Sequence, residues 1–317
     1  LPDLHLFFYM LKTKKKSILI MGAGAVGGTF GVLLTKVKTN TVFFIARGQH
    51  LEAVKRNGLS VQSGKENFTI KVNVSDNPNN FISKPDLILL TVKSFDTDSA
   101  IEQLKPIVFR KTQILSLQNG IENYPKLVNA FGEKRVVRGF CGMNAEVLQP
   151  GVIQGGQGYI FIGENIGEIS ARTQWLKSLF ETSNIQCTVS QDIHQDVWRK
   201  FAWNCIFNIV SATTKLTVDK IVDDPEKIQF CKELFKEIQQ VAKSQDVVLG
   251  ADKEKLIFDI AGDSGDIKPS TLQDRLKGKR MEYDAFTGAL IRLADKHKIH
   301  IPINRSLYDQ LEQLGNP

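Results

Sequence analysis

The stretch SILIMGAGAVGGTF, residues 17–30, decides the fold: a short buried strand runs into Gly22-x-Gly24-x-x-Gly27 and on into an amphipathic helix. The first glycine makes the tight turn, the second lets the backbone approach a pyrophosphate, and the third lets helix and strand pack closely. The helix N-terminus then offers free N–H groups and a partial positive charge to phosphates. A glycine turn alone is a weak signal. Here the strand before it, the helix after it and a second strand at Thr41 all fall in place. The segment reads as a dinucleotide-binding unit, with Gly22, Ala23, Gly24, Ala25, Val26 and Gly27 expected at the cofactor.

The second strand ends in Ala46-Arg47-Gly48, where an NAD enzyme usually carries an acid for the ribose 2′-OH. An acid there would repel a 2′-phosphate, whereas arginine can bind one with two parallel hydrogen bonds. The expected cofactor is therefore NADPH, with Arg47 on its 2′-phosphate. The plainer reading of Arg47 is a solvated residue at a strand end.

Farther along, short apolar or β-branched runs alternate with amphipathic stretches to about Cys187, as in a parallel sheet with crossover helices. Strands are predicted at 17–21, 41–46, 86–92, 113–117 and 135–140, and helices near 25–36, 49–57, 96–104 and 122–130. Residues 150–163, rich in glycine, read as a hairpin at the far edge of the sheet. A helix over 166–182 and a strand over 186–189 follow, and beyond Gln191 the pattern is helical. The expected fold is α/β: a Rossmann-type doubly wound domain over residues 17–190 and an all-helical C-terminal domain over 191–317, with the active site between them.

Composition fits this reading. The chain has 317 residues, 42% hydrophobic and 24% charged, enough for two packed cores. Its longest apolar runs, 87–92 and 201–212, are shorter than the roughly 20 residues of a membrane span or are interrupted. Cys141, Cys187, Cys205 and Cys231 lie far apart without a CxxC pair, so they read as reduced thiols of a cytoplasmic protein with no metal site. Cys205 in particular reads as a small buried hydrophobe. The formal charge is +7, but Lys12, Lys14, Lys15 and Lys16 carry much of it at the front of the chain. The modest remainder suits an anionic cofactor and an anionic substrate and carries no sign of nucleic-acid binding. Residues 1–16, an apolar run followed by lysines, reverse the order of a secretory signal and read as an extension outside the fold.

Two later strands end in chemistry. Lys93 follows the strand 86–92, and Gln118-Asn119-Gly120 follows 113–117, at the carboxyl ends where open α/β sheets bind ligands. Taken alone, Lys93 reads equally as a solvated cap. More telling is WRKFAWNCIFN, residues 198–208, in which Lys200, Asn204 and Asn208 recur at i, i+4 and i+8. On a helix they form one stripe drifting only about 40° per step. Their neighbours are nearly all apolar. Burying a lysine and two amides without partners would cost several kcal/mol, so the stripe must face a polar space.

With these motifs in view, the chain resembles the ketopantoate reductase family from residue 17 to about 290, on MGAGAVGG, Arg47, TVKS, LQNG, WRKFAWNCIFN and PSTLQDRLKGKRMEYDAFTG. Members reduce 2-dehydropantoate to pantoate with NADPH, in pantothenate and coenzyme A synthesis. The resemblance implies that Lys200 is the general acid, assisted by Glu282. It also implies that Asn119 contacts cofactor and substrate, that Asn204, Asn208 and Ser270 hold the substrate, and that Lys93 lies near the cofactor. Many relatives carry a proline soon after the second helical asparagine; this chain has Ile209-Val210-Ser211, so the helix end and the pocket are expected to differ.

The chemistry agrees on independent grounds. Hydride addition to a ketone builds negative charge on oxygen, and a positioned cation that can release a proton serves both needs. Two alternatives stay open: a reductase of another branched 2-oxo acid on the same scaffold, and a non-catalytic sensor of the NADP redox state. A sensor has no need of the Lys200 stripe. A homodimer is also open, since proteins of this kind are frequently dimers.

Overall fold

A computed structural model describes residues 15–63, 66–81, 84–165 and 167–315. The chain begins with β1 (Lys16–Met21), α1 (Ala25–Thr35), β2 (Asn40–Ile45), α2 (Gly48–Asn57), β3 (Leu59–Ser63), β4 (Glu66–Ile70) and β5 (Asn73–Ser75). It continues with β6 (Leu87–Leu90), α3 (Thr97–Leu104), β7 (Gln113–Ser116), α4 (Asn123–Phe131) and β8 (Val136–Gly142). After these come β9 (Glu146–Gln149), β10 (Val152–Gln154), β11 (Tyr159–Gly163), α5 (Ala171–Thr182) and β12 (Gln186–Val189).

Eight strands form the main sheet in the order β12-β11-β8-β7-β6-β1-β2-β5. It is parallel from β8 to β5, and β11 turns antiparallel against β8. The order reverses at β1: the chain first builds outward through β2 and then returns to place β6 on the other side. Such a reversal opens a crevice at the carboxyl ends of the strands. Both faces of the sheet are covered, because alternate residues of each strand point to opposite sides. Ile18 and Ile20 enter one core with Phe30 of α1 and Phe180 of α5, while Leu19 and Met21 enter the other with Leu104 of α3 and Leu127 of α4.

Two sequence expectations fail here. Residues 150–163 are not one hairpin: the turn at Pro150-Gly151 joins β9 to β10 in a separate sheet, β4-β3-β10-β9, while β11 belongs to the main sheet. That second sheet, whose strands are three to five residues long, was not anticipated; its Leu59, Val61 and Ile153 join the core around α1. The helix predicted from 166 starts at Ala171, because Ser170 caps it by accepting from the Thr173 backbone N–H. Residue 166 itself and residues 1–14 lie outside the described residues.

Beyond β12 the chain is helical: α6 (Ile193–Trp203), a π-helical turn (Asn204–Asn208), α7 (Ile209–Thr214), α8 (Val218–Val222), α9 (Pro225–Lys243) and α10 (Ala251–Gly262). Then follow α11 (Ser270–Leu276), a second π-helical turn (Asp284–Gly288), α12 (Ala289–His297) and α13 (Pro302–Gln313). The longest helix, α9, shows how the sequence builds this half. Asp224 caps it, Pro225 opens it, and Cys231, Leu234, Phe235, Ile238, Val241 and Ala242 recur on one buried face. They meet Trp198, Phe201, Cys205 and Phe286 in a single core, where Cys205 is a fully buried hydrophobe. Ile193 and Val197 of α6 pack on Phe140, Tyr159 and Phe161 and so seat the helices against the sheet. Among the described residues, no helix is long and apolar enough to cross a membrane.

Candidate active site

A cleft of about 860 Å³ runs along the carboxyl ends of β1, β2, β6 and β7 and is closed on the far side by α6, the first π turn and the segment from Ile267 to Glu282. At one end lies the glycine loop. Gly22 has φ +110°, and a Cβ there would stand 2.8 Å from the Val92 backbone nitrogen, so only glycine makes this turn. Gly24, Ala25 and Val26 open α1 onto the cleft with no side chain capping the first turn. Free N–H groups at a helix start, with open space over Gly24, suit a pyrophosphate, so these residues fit the dinucleotide they were expected to hold. Gly27 was expected at the cofactor too. It is buried against the Gly22 carbonyl and Thr91 and is not part of the cleft wall, and its role is close packing of helix on strand.

Arg47 caps β2 beside this loop, its side chain 77% exposed. Its guanidinium is not free: Nη2 lies 2.6 Å and Nη1 3.3 Å from the two carboxylate oxygens of Asp96.

At the other end Lys93 and Ser94 meet the helical half. Lys93 Nζ donates to Asp274 at 2.7 Å and to Glu282 at 2.9 Å. The Ser94 backbone N–H donates to the other Glu282 oxygen at 2.8 Å, and the Ser94 hydroxyl lies 2.9 Å from that oxygen and 3.0 Å from the Asn119 carbonyl. Burial works to lower the Lys93 pKa, but the two carboxylates outweigh it and raise it. Lys93 is a fixed cation. Glu282, expected to assist Lys200, is bound by Lys93 and Ser94.

Lys200 sits in the last turn of α6 with a different environment. Among the described residues its ammonium has no hydrogen bond or ion pair; it lies 4.6 Å from the centre of the Trp203 ring. Burial pushes its pKa down to about 8, and the neighbouring Arg199 charge acts in the same direction. The nearby Cys141 thiol is pushed up to about 12 by burial, so it is neutral and offers no counter-ion.

The stripe was read as regular α-helix, yet Asn204 to Asn208 form a π turn. Its wider i→i+5 register counters the α-helical drift from one turn to the next. Asn208 is 3% exposed, and its Oδ1 accepts from the Thr271 backbone N–H at 3.1 Å, the Thr271 hydroxyl at 3.1 Å and the Ser270 hydroxyl at 3.2 Å. A backbone N–H can only donate, which identifies that atom as oxygen and leaves Nδ2 facing Asn204 Oδ1 at 2.9 Å. Asn208 therefore ties α6 to α11. Among the described residues Asn204 Nδ2, like the Lys200 ammonium and the Trp203 indole N–H, is a donor of the wall without a protein partner. Asn119 and Ser270 also line the cleft.

Sequence reasoning missed Asp96, Ser94 and Asp274. Asp274 follows Ser270 by four residues on α11, a helical spacing that would have placed both on one face. Nothing local marks Asp96, because its partner is 49 residues away.

Comparison with known proteins agrees with this architecture. The profile described as "Ketopantoate reductase PanE/ApbA" matches residues 18–167, and "Ketopantoate reductase PanE/ApbA C terminal" matches 192–315. The 2-dehydropantoate 2-reductase of Pyrococcus horikoshii is 32% identical over 92% of this chain and 95% of its own. That of Archaeoglobus fulgidus is 28% identical over 91% and 94%. The crystal structure of a PanE/ApbA family ketopantoate reductase from Ralstonia eutropha JMP134 superposes with a TM-score of 0.86 at 30% identity, covering 94% of this chain and 98% of that one. With both halves matched in order across a shared cleft, the chain belongs to the ketopantoate reductase family.

Proposed function

We propose that this chain reduces the keto group of 2-dehydropantoate to give pantoate, using NADPH. The names of its relatives support the substrate, and the cleft supports the chemistry. Gly22, Ala23, Gly24, Ala25 and Val26 would hold the pyrophosphate, Arg47 the 2′-phosphate, and Lys93 and Asn119 would border the nicotinamide. Bound there, the reduced nicotinamide supplies the hydride.

The observation that carries the reading is Lys200: a half-buried ammonium with no acidic partner among the described residues and a pKa of about 8. It is charged at neutral pH, so it can stabilise the negative oxygen, and it is acidic enough to protonate it. Asn204 Nδ2 adds a neutral donor, and Ser270 a hydroxyl. Glu282 acts through Lys93 and Ser94, holding the two halves of the cleft in register. The four unpaired thiols support a cytoplasmic setting. We read residues 17–190 and 191–317 as the cofactor-binding and the helical substrate-binding domains.

Discrimination tests the substrate. A pocket that hydrogen-bonds the terminal hydroxyl of 2-dehydropantoate should prefer it to 2-oxoisovalerate, which lacks the hydroxymethyl group, by about four orders of magnitude in kcat/KM. Equal use of both would move the chain to the reductases of other branched 2-oxo acids.

A further inference from the structure

We infer that Asp96 is a cofactor-specificity residue that holds down this chain's preference for NADPH over NADH; the inference rests on the placement of the 2′-phosphate at Arg47 proposed above. The geometry is direct. Asp96 meets Nη1 and Nη2 of Arg47 with one carboxylate oxygen each. These two nitrogens form the fork through which arginine binds a phosphate. A 2′-phosphate arriving at Arg47 must share that fork with a carboxylate or displace it.

The position of Asp96 on its helix strengthens the case. Asp96 is the N-cap residue of α3, where an aspartate ordinarily accepts from the first free backbone N–H groups of the helix. It makes no such bond. Its carboxylate is committed to Arg47 instead.

Lys279, whose charge reaches His50, also lines the cleft, but Asp96 pairs with Arg47 and not with it. Asp76 lines the same end of the cleft, and His50, whose pKa burial lowers, is neutral at physiological pH. A ribose 2′-OH loses nothing in this setting. It is uncharged, and the Asp96 carboxylate, held beside Arg47, can accept from it as the acid at the end of the second strand does in NAD enzymes. Asp96 thus disfavours the phosphate of NADPH and accepts from the hydroxyl of NADH.

The test is a titration of NADPH and of NADH, each followed by its own nicotinamide fluorescence. The proteins are wild type, Asp96→Asn, Asp96→Ser and Arg47→Ala. Serine keeps an oxygen able to cap α3, so a loss of helix cannot mimic the result. In both Asp96 variants the ratio Kd(NADH)/Kd(NADPH) should rise about tenfold, which is about 1.4 kcal/mol, chiefly through tighter NADPH. The rise should shrink as salt is added, because Arg47 is solvent-exposed. A ratio unchanged within about twofold in both variants, with NADPH binding still lost in Arg47→Ala, would overturn the role of Asp96 and leave the cofactor placement standing. A ratio that does not respond to Arg47→Ala either would overturn both.

Discussion

Lys93 stands on the sheet wall of the cleft with Asp274 at 2.7 Å and Glu282 at 2.9 Å, whereas Lys200 stands on the helical wall beside an indole ring and a neutral thiol. Both ammonium groups are partly desolvated, so burial alone would treat them alike. The carboxylates decide the difference: they hold the Lys93 proton firmly, and their absence leaves the Lys200 proton loose. One cleft thereby has a permanent cation that joins its walls and a second one that can act as an acid. Pairs of titratable groups whose surroundings drive their pKa values apart mark division of labour in an active site.

The sharpest way to break this comparison is to remove the looser proton. Lys200→Ala should lower kcat by about two to four orders of magnitude, as loss of a general acid that also stabilises an oxyanion does, while NADPH still binds. Turnover near that of wild type, measured by NADPH oxidation at saturating keto acid, would return the role to another group.

A pH profile comes next in size. Lys200 must be protonated to donate, so kcat/KM for reduction should be level below the Lys200 pKa and fall through about 8 as the ammonium is lost. The fall should approach tenfold per pH unit. Because kcat/KM reports the free enzyme, an anionic substrate should move the same limb upward in the kcat profile. Lys93→Arg, which keeps the charge, should leave the midpoint in place. A midpoint that follows Lys93→Arg would exchange the two assignments.

How far the sequence reaches differs between the two walls for a physical reason. The turn of Gly22, the packing of Gly27 and the arginine at the end of β2 are local requirements, legible from neighbours along the chain. The residues of the helical stripe were legible as well, because Lys200, Asn204 and Asn208 are the polar positions in an otherwise apolar run. Their π turn was not. It is stabilised by tertiary bonds such as Thr271 N–H to Asn208, 63 residues apart. The clamp of Lys93 on Asp274 and Glu282 spans 181 and 189 residues, and the Arg47–Asp96 pair spans 49. Pairings of this kind have no local signature. The second sheet escaped for another cause: its strands are too short for alternation to stand out, and Gly155 to Gly158 carry the chain from one sheet to the other.

The smallest expected effect separates the two asparagines of the stripe. Asn208 has both amide atoms engaged within the protein, while Asn204 keeps Nδ2 at the cleft wall. Asn208→Ala leaves the buried Thr271 N–H and the Asn204 carbonyl oxygen unpaired, each worth about 1 to 3 kcal/mol when nothing replaces the partner. Thr271 and Ser270 hydroxyls can rotate to other acceptors, so the net loss should be about 2 kcal/mol, or about 4 to 8 °C in Tm for a domain of this size. Asn204→Ala keeps the Asn208 contacts to α11 and exposes its new gap to the cleft. It should therefore change Tm by less and kcat/KM by more, about tenfold for one lost hydrogen bond to substrate. Thermal melts and steady-state kinetics on both variants decide the matter. If Asn208→Ala instead loses kcat/KM with an unchanged Tm, Asn208 faces the substrate itself, and the distinction between a residue that positions and a residue that binds moves to the other end of the π turn.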